Sequence, residues 1–287
     1  ALAAAGCGPQ VLAANVVPGS NSPLRTKNLV KPYHVYTVGG QKVGVVGINV
    51  KQKTEMSSSP SHGTYLLDEM TTAQRYIDEL KNPSMGVNKI IVLSHVGLAK
   101  DLEMAAGLEG VDVIVGGDSH SLLGDAGELA TVPGAEPVSD YPRVVTGHNG
   151  KTVCVVQAWQ YAHTVGKLDV SFDSNGDVTA CSGRPIFPLA EASTWKDSAG
   201  NVLTLEQAGA VIAALPLNAR VVAEDVATKA SIDSNKATID ALTQGTIATF
   251  DVGFCLARAP GTSTSIDCRV CNSYQNGGSA CQLVAKA

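Results

Sequence analysis

The chain has 287 residues, 44% hydrophobic and 16% charged, with a net charge of −5. That length and apolar content suffice for about two domains, or one large α/β domain with an appendage, around a sizeable core. The acidic balance, with no Lys/Arg cluster and no interleaved aromatic pattern, argues against a nucleic-acid-binding surface, and no apolar run is long enough to span a membrane.

The opening "ALAAAGCGPQ" has neither Met nor a basic n-region, so no signal peptide is visible there. "QVLAANVV" (10–17) reads as a short apolar strand, followed by a Pro/Gly/Ser/Asn loop. "YHVYTV" (33–38) and "KVGVVGINV" (42–50) flank Gly39-Gly40 and predict a hairpin. Its second strand is nearly all apolar, as expected of a strand buried on both faces.

Helical spacing at Met70, Ala73, Tyr76, Ile77 and Leu80 predicts a helix within 66–82. "NKIIVLSH" (88–95), "GLAKDLEMAAGL" (97–108) and "VDVIVGG" (111–117) then predict strand, helix, strand, a right-handed parallel crossover by default. After a Gly/Pro loop the pattern becomes paired strands. "PRVVTG" and "TVCVVQAW" are joined by "HNGK", and "VGKLDVSFD" and "VTACSGRPIF" by "SNGD". Both turns contain Asn-Gly, the strongest short hairpin signal. Residues 190–250 read as helical, and a boundary is expected near 190–200.

Seven cysteines are present, four of them (Cys255, Cys268, Cys271, Cys281) in the tail. Cys268 and Cys271 have zinc-ligand spacing, but the flanking pair is too far apart for a ribbon. A disulfide-tied loop in an oxidising compartment is the favoured expectation.

Ligands of open α/β sheets lie outside the C-terminal strand ends. Two strands here end in candidate ligands: one delivers Ser94-His95, the other Asp118 and His120 after Gly116-Gly117. Imidazole and carboxylate donors together suit zinc, manganese or iron, and the glycines would let the backbone turn sharply into a shared cleft. The plainer alternative makes His95 a core residue and Asp118-Ser119 a cap for a helix starting near Leu122. Coincidence at equivalent strand ends favours the metal site. His34, His62, His148 and His163 read as ordinary surface or loop residues.

"IIVLSHVGLAKDLEMAAGLEGVDVIVGGDSHSLLG" (90–124) resembles the second half of the metallophosphatase domain of the 5'-nucleotidase family. In that family a strand ending in histidine leads through a helix to Gly-Gly-His-x-His. "YPRVVTGHNGKTVCVVQAWQYAHTVGKLDVSFDSNGDV" (141–178) resembles its Val-Val-Gln-Ala hairpin region, and "VLAANVV" with "YHVYTVGGQKVGVVGIN" is similar to the segment after its Asn-His-Glu motif. The resemblance spans roughly residues 8–190. The tail weakly resembles the opening of the family's C-terminal nucleotide-binding domain.

The resemblance implies a calcineurin-like, four-layer α/β/β/α metallophosphatase sandwich, present here in part. The expected division is residues 1–190 for that domain, 191–250 for a helical linker and 251–287 for the start of a second domain. It implies two divalent metals (Zn, Mn or Mg) acting on a nucleotide or other small phosphoester, in an extracellular, periplasmic or cell-surface setting. By position His95 would ligate the second metal. Asp118 stands where that metal usually has a histidine, and His120 would face the first. Gln157 and Asn149-Gly150 resemble scaffold positions. The family's Asp-x-His, Gly-Asp and Asn-His-Glu motifs do not occur in these residues. The arginines and the aromatic pair that stacks the base are expected beyond Ala287. The chain therefore reads as part of a 5'-nucleotidase-type hydrolase. A non-catalytic binding or structural relative is the alternative.

Overall fold

The computed structural model describes residues 10–60, 63–130, 134–189, 195–197, 199–214, 218–243, 255–256 and 267–268. It divides into two compact units, Ala1–Ala223 and Glu224–Ala287.

The first unit opens with β1 (Val16–Val17) and α1 (Pro23–Thr26), followed by the hairpin strands β2 (Tyr33–Val38) and β3 (Gln41–Asn49). Next come α2 (Lys51–Lys53), β4 (Tyr65–Leu66), α3 (Glu69–Lys81), β5 (Lys89–His95), α4 (Leu98–Gly107) and β6 (Val113–Gly116). Then follow α5 (Ala126–Leu129), β7 (Arg143–Thr146), β8 (Thr152–Gln157), β9 (Val165–Phe172), β10 (Val178–Leu189), α6 (Leu205–Ala214) and β11 (Ala219–Val221). The second unit has α7 (Val226–Thr243), whose exposed surface carries the Lys229–Asp233 and Lys236–Asp240 pairs, and the short strands β12 (Cys255–Leu256) and β13 (Asp267–Cys268).

Six strands form the main sheet in the order β2-β3-β5-β6-β8-β7, with β3, β5, β6 and β8 mutually parallel. Helices α3 and α4 cover one face. Ala73, Ile77 and Leu80 of α3 and Met104 and Ala105 of α4 pack with Val46, Ile48, Ile90, Val92 and Ile114, all fully or almost fully buried. The sheet formed by β9 and β10 covers the other face, where Val113, Cys154 and Val178 meet Leu168, Val170 and Phe172. The expected α/β/β order of layers is thus present. Burial on both faces explains why β8 is an apolar run, while β5 alternates buried with half-buried or exposed positions and β9 alternates exposed with half-buried ones.

Local chemistry sets the helix boundaries. Asp68 caps α3 by accepting the Thr71 N–H at 2.8 Å. Gly97 gives α4 no side-chain cap, and the Ser119 hydroxyl accepts the Leu98 N–H at 3.0 Å in its place. Two expectations need correction. "QVLAANVV" is mostly irregular, with only Val16–Val17 in a strand, because Ala14 N–H bonds Gly47 O at 2.7 Å and lays this segment across β3. The side chain of the buried Asn15 then bonds Asn49 at the end of β3 and Leu67 O. No helix starts near Leu122; α5 begins at Ala126 under an Asp125 cap.

A disulfide joins Cys154 in β8 to Cys181 in β10, fastening the two sheets through the buried layer between them. In the tail, Cys255 lies opposite Cys268 in the β12–β13 register, while Cys271 and Cys281 lie outside the described residues. β11 pairs parallel with β10, so residues 219–221 belong with the first unit, beyond the expected change of character at 190–200.

Two stability measurements check this packing. Replacing both Cys154 and Cys181 with Ser should lower the unfolding free energy in urea by about 2–4 kcal/mol, as opening a link across 27 residues requires. Gly47→Ala should cost about 1–3 kcal/mol, because an added Cβ runs into the Leu12 backbone carbonyl. Wild-type stability in the Gly47→Ala chain would show that the 11–15 segment does not cross β3 as described.

Candidate functional site

The parallel register brings four strand ends to one edge. Asn49 of β3 pairs with His95 of β5, Leu93 with Val115 of β6, and Gly116 with Gln157 of β8. The loop after β6 then passes Gly117, Asp118, Ser119 and His120 across that edge.

Gly116 and Gly117 serve close approach rather than turning freedom. Neither has a positive φ; the left-handed conformation falls on Asp118 (φ 74°) and His120 (φ 52°). A Cβ at Gly116 would collide with the Asp101 carboxylate, and one at Gly117 would sit 2.8 Å from His95 Nδ1. The two glycines therefore admit α4's carboxylate on one side and the His95 ring on the other.

One buried side chain holds the loop. Gln157, 2% exposed, donates from Nε2 to Gly117 O at 3.0 Å. Its Oε1 accepts from the Ser121 N–H at 2.5 Å and from the Ser119 hydroxyl at 3.1 Å. Gly97 N–H also donates to Gly117 O, at 3.1 Å, joining the start of α4 to the same point.

Of the three candidate ligands, the fold unites two. His95 Nε2 lies 3.6 Å from Asp118 Oδ1, a separation two donors can have around one ion at bond lengths near ~2 Å. His120 instead packs edge-on against Tyr161, ring centroids 5.0 Å apart. The ammonium of Lys53, at the end of α2, pairs directly with the same Asp118 oxygen. Among the described residues no group of three His, Cys, Asp or Glu side chains converges to hold a metal ion. His95 and Asp118 thus fit as part of a ligand set, and a closed site needs further donors.

One buried acid, Asp101, lies behind the edge, and a second, Asp112, lies at the opposite end of β6. Asp101, fully buried in α4, accepts the Ser94 hydroxyl at 2.5 Å, while its second oxygen has no partner. Burial pushes it up to about 6, the Ser94 bond opposing only in part. Asp112 is likewise pushed up to about 6 by burial, although it accepts the Ile90 N–H at 2.6 Å. Sequence reasoning missed Lys53, Asp101 and Tyr161. A lysine on a single short turn of helix after a strand carries no spacing signal, and Asp101 reads as an ordinary polar position of an amphipathic helix.

No family model matches the chain. It is 42% identical over 179 residues to a probable 5'-nucleotidase of Treponema pallidum, covering 62% of this chain and 29% of that protein. It is 42% identical over 166 residues to the NAD 5'-nucleotidase of Haemophilus influenzae, covering 58% and 26%. The solved Haemophilus influenzae NAD nucleotidase superposes with a TM-score of 0.75 at 33% identity, covering 86% of this chain and 43% of that one. The Thermus thermophilus 5'-nucleotidase precursor gives 0.62 at 35% identity, covering 88% and 42%. The chain spans less than a third of the length of these curated relatives. Over the stretch they share, it is homologous to 5'-nucleotidases and has the fold of the metallophosphatase domain.

The buried acid behind the site gives a pH prediction. The folded-state value of Asp101 lies above its ordinary 3.8, so the folded chain keeps a proton that the unfolded chain releases between 3.8 and about 6. Its contribution to stability is therefore full at low pH and is lost as pH rises through about 6. Urea unfolding at about pH 4 and about pH 7 should show stability falling with pH. Asp101→Asn, which keeps an acceptor for Ser94, should make that fall shallower by about 1–3 kcal/mol. An identical pH dependence in the variant would mean that Asp101 is ionised in the folded chain.

Proposed function

We propose that this chain forms part of a metal-dependent phosphoester hydrolase of 5'-nucleotidase type, acting on nucleotides in an extracellular, periplasmic or cell-surface setting. The observation that supports it most is the His95–Asp118 pair at the C-terminal sheet edge, within a stretch homologous to 5'-nucleotidases. The Cys154–Cys181 disulfide fits an oxidising compartment.

In this reading His95 and Asp118 hold one divalent ion, and the remaining donors come from parts of the protein outside the stretch that these residues match. Divalent ions in such a site polarise the phosphate ester and make bound water a nucleophile near neutral pH. The residues of this chain do the positioning. The bare backbone of Gly117 lets the His95 ring lie against it, and Gln157 fixes the loop that carries Asp118. Lys53 neutralises Asp118, offsetting the extra negative charge of a carboxylate where the family usually has a neutral imidazole. A carboxylate ligand also favours hard cations such as manganese or magnesium.

The Lys53–Asp118 pair also supports a second reading, in which an ammonium takes the cation's place and the protein is a non-catalytic binding relative.

The readings separate in a protein containing this segment together with the parts its relatives have. Phosphate release from AMP in the presence of Mn²⁺ should fall by at least about a hundredfold in both His95→Ala and Asp118→Ala, with circular dichroism unchanged. Wild-type turnover in both variants would remove these residues from the site. No turnover in the parent, with no bound metal on elemental analysis, would favour the non-catalytic reading.

A further inference from the structure

A fixed backbone brings the ammonium of Lys53 to the sheet edge. Val50 N–H donates to His95 O at 3.2 Å, tying the residue before α2 to the end of β5. The Thr54 hydroxyl donates to Val50 O at 2.5 Å and the Ser57 hydroxyl to Lys53 O at 2.6 Å, within a π-helical turn over Thr54–Ser58. Such turns are rare and frequent at functional sites. The neighbouring acids Glu69 and Glu55 each give an oxygen to a backbone N–H, those of Lys51 and Leu66, at 2.7 and 3.2 Å. Lys53 pairs instead with an acid 65 residues away in sequence.

Asp118 is held as firmly. It has a left-handed backbone (φ 74°) in the loop that Gln157 fastens, and its side chain is only 16% exposed. Its Oδ1 faces His95 Nε2 at 3.6 Å, and Lys53 binds this same oxygen. Oδ2 turns towards the start of α4, where a Cβ on Gly97 would lie 4.0 Å from it. The oxygen best placed to share an ion with His95 therefore already carries a cation. An ammonium and a divalent ion against one oxygen would repel each other strongly, so the two exclude one another there.

We propose that Lys53 is a tethered rival of the divalent ion and sets the cation affinity of the His95–Asp118 pair. The proposal rests on the hydrolase reading for the ion itself and adds what that ion must overcome. To bind, the ion displaces the ammonium from Asp118 Oδ1, and the Lys53 side chain, 60% exposed, swings into water on its flexible stem. Because that side chain is well solvated, the pair has the strength of a surface ion pair. Its loss changes cation affinity a few-fold, not by orders of magnitude. Lys53 thereby raises the ion concentration at which the site fills.

Mn²⁺ titration of the 287-residue chain, followed by paramagnetic broadening of the His95 ring-proton signals, tests this. Lys53→Met, which keeps the stem without the charge, should bind Mn²⁺ about two- to fivefold more tightly than wild type. Lys53→Arg should stay at the wild-type value, and adding Asp118→Asn to Lys53→Met should abolish the gain. Loss of a merely structural lysine would weaken binding or leave it unchanged, so the sign of the change is diagnostic. Equal or weaker binding by Lys53→Met, absence of His95 broadening in both chains included, would overturn the rivalry. An equal gain in Lys53→Arg, or one that survives in the double variant, would do the same. Broadening needs no substrate, so this readout is independent of turnover. A Lys53→Met gain in a protein that releases no phosphate from AMP would uphold the rivalry while refuting the hydrolase reading. Phosphate release with equal Mn²⁺ binding in wild type and Lys53→Met would do the reverse.

Discussion

The Gln157 carboxamide, buried at the end of β8, uses both its ends on the loop that follows β6. Its amide donates to Gly117 O, and its oxygen accepts from Ser121 and Ser119. Ser119, held this way, caps α4, and Gly117 O also receives the Gly97 N–H. One side chain on β8 thereby positions a loop from β6 and the start of a helix that follows β5.

Charge at the edge is arranged in two tiers. On the solvent side Lys53 and Asp118 neutralise one another, with His95 beside them. On the buried side Asp101 faces the sheet with one oxygen bonded to Ser94 and the other unpartnered. Burial without a cation favours the protonated acid, so below about pH 6 Asp101 is a neutral hydrogen-bonding group beneath Gly116. The separation is physically sensible. A second charged carboxylate directly behind Asp118 would have no counter-ion, whereas a neutral acid packs against the glycine backbone at little electrostatic cost.

The two sheets divide the labour of stability and presentation. The main sheet buries both faces and fixes the relative heights of its strand ends through parallel register. The β9–β10 sheet is fastened by the disulfide and carries no proposed ligand. The loop joining β8 to β9 passes from one sheet to the other and retains left-handed residues that a free loop would relax.

The hairpin at Gly39-Gly40, the β5-α4-β6 crossover and both Asn-Gly hairpins were legible in the sequence because each depends on local periodicity and turn chemistry. The candidates His95, Asp118 and His120 were legible as residue types at strand ends. Which of them meet was not. His95 and Asp118 come together because β5 and β6 are paired in register, and His120 turns to Tyr161 because a left-handed φ two residues later redirects the chain. The purpose of Gly116 and Gly117 was equally hidden, since what excludes a side chain there is the arrival of Asp101 and His95 from other elements. Lys53 lies 65 residues from its partner, and Cys154 lies 27 from Cys181. Sequence determined which elements form and what chemistry their ends can offer. Tertiary structure alone decided which ends share an edge, because contacts between distant residues follow from strand register and layer packing, which no local pattern encodes.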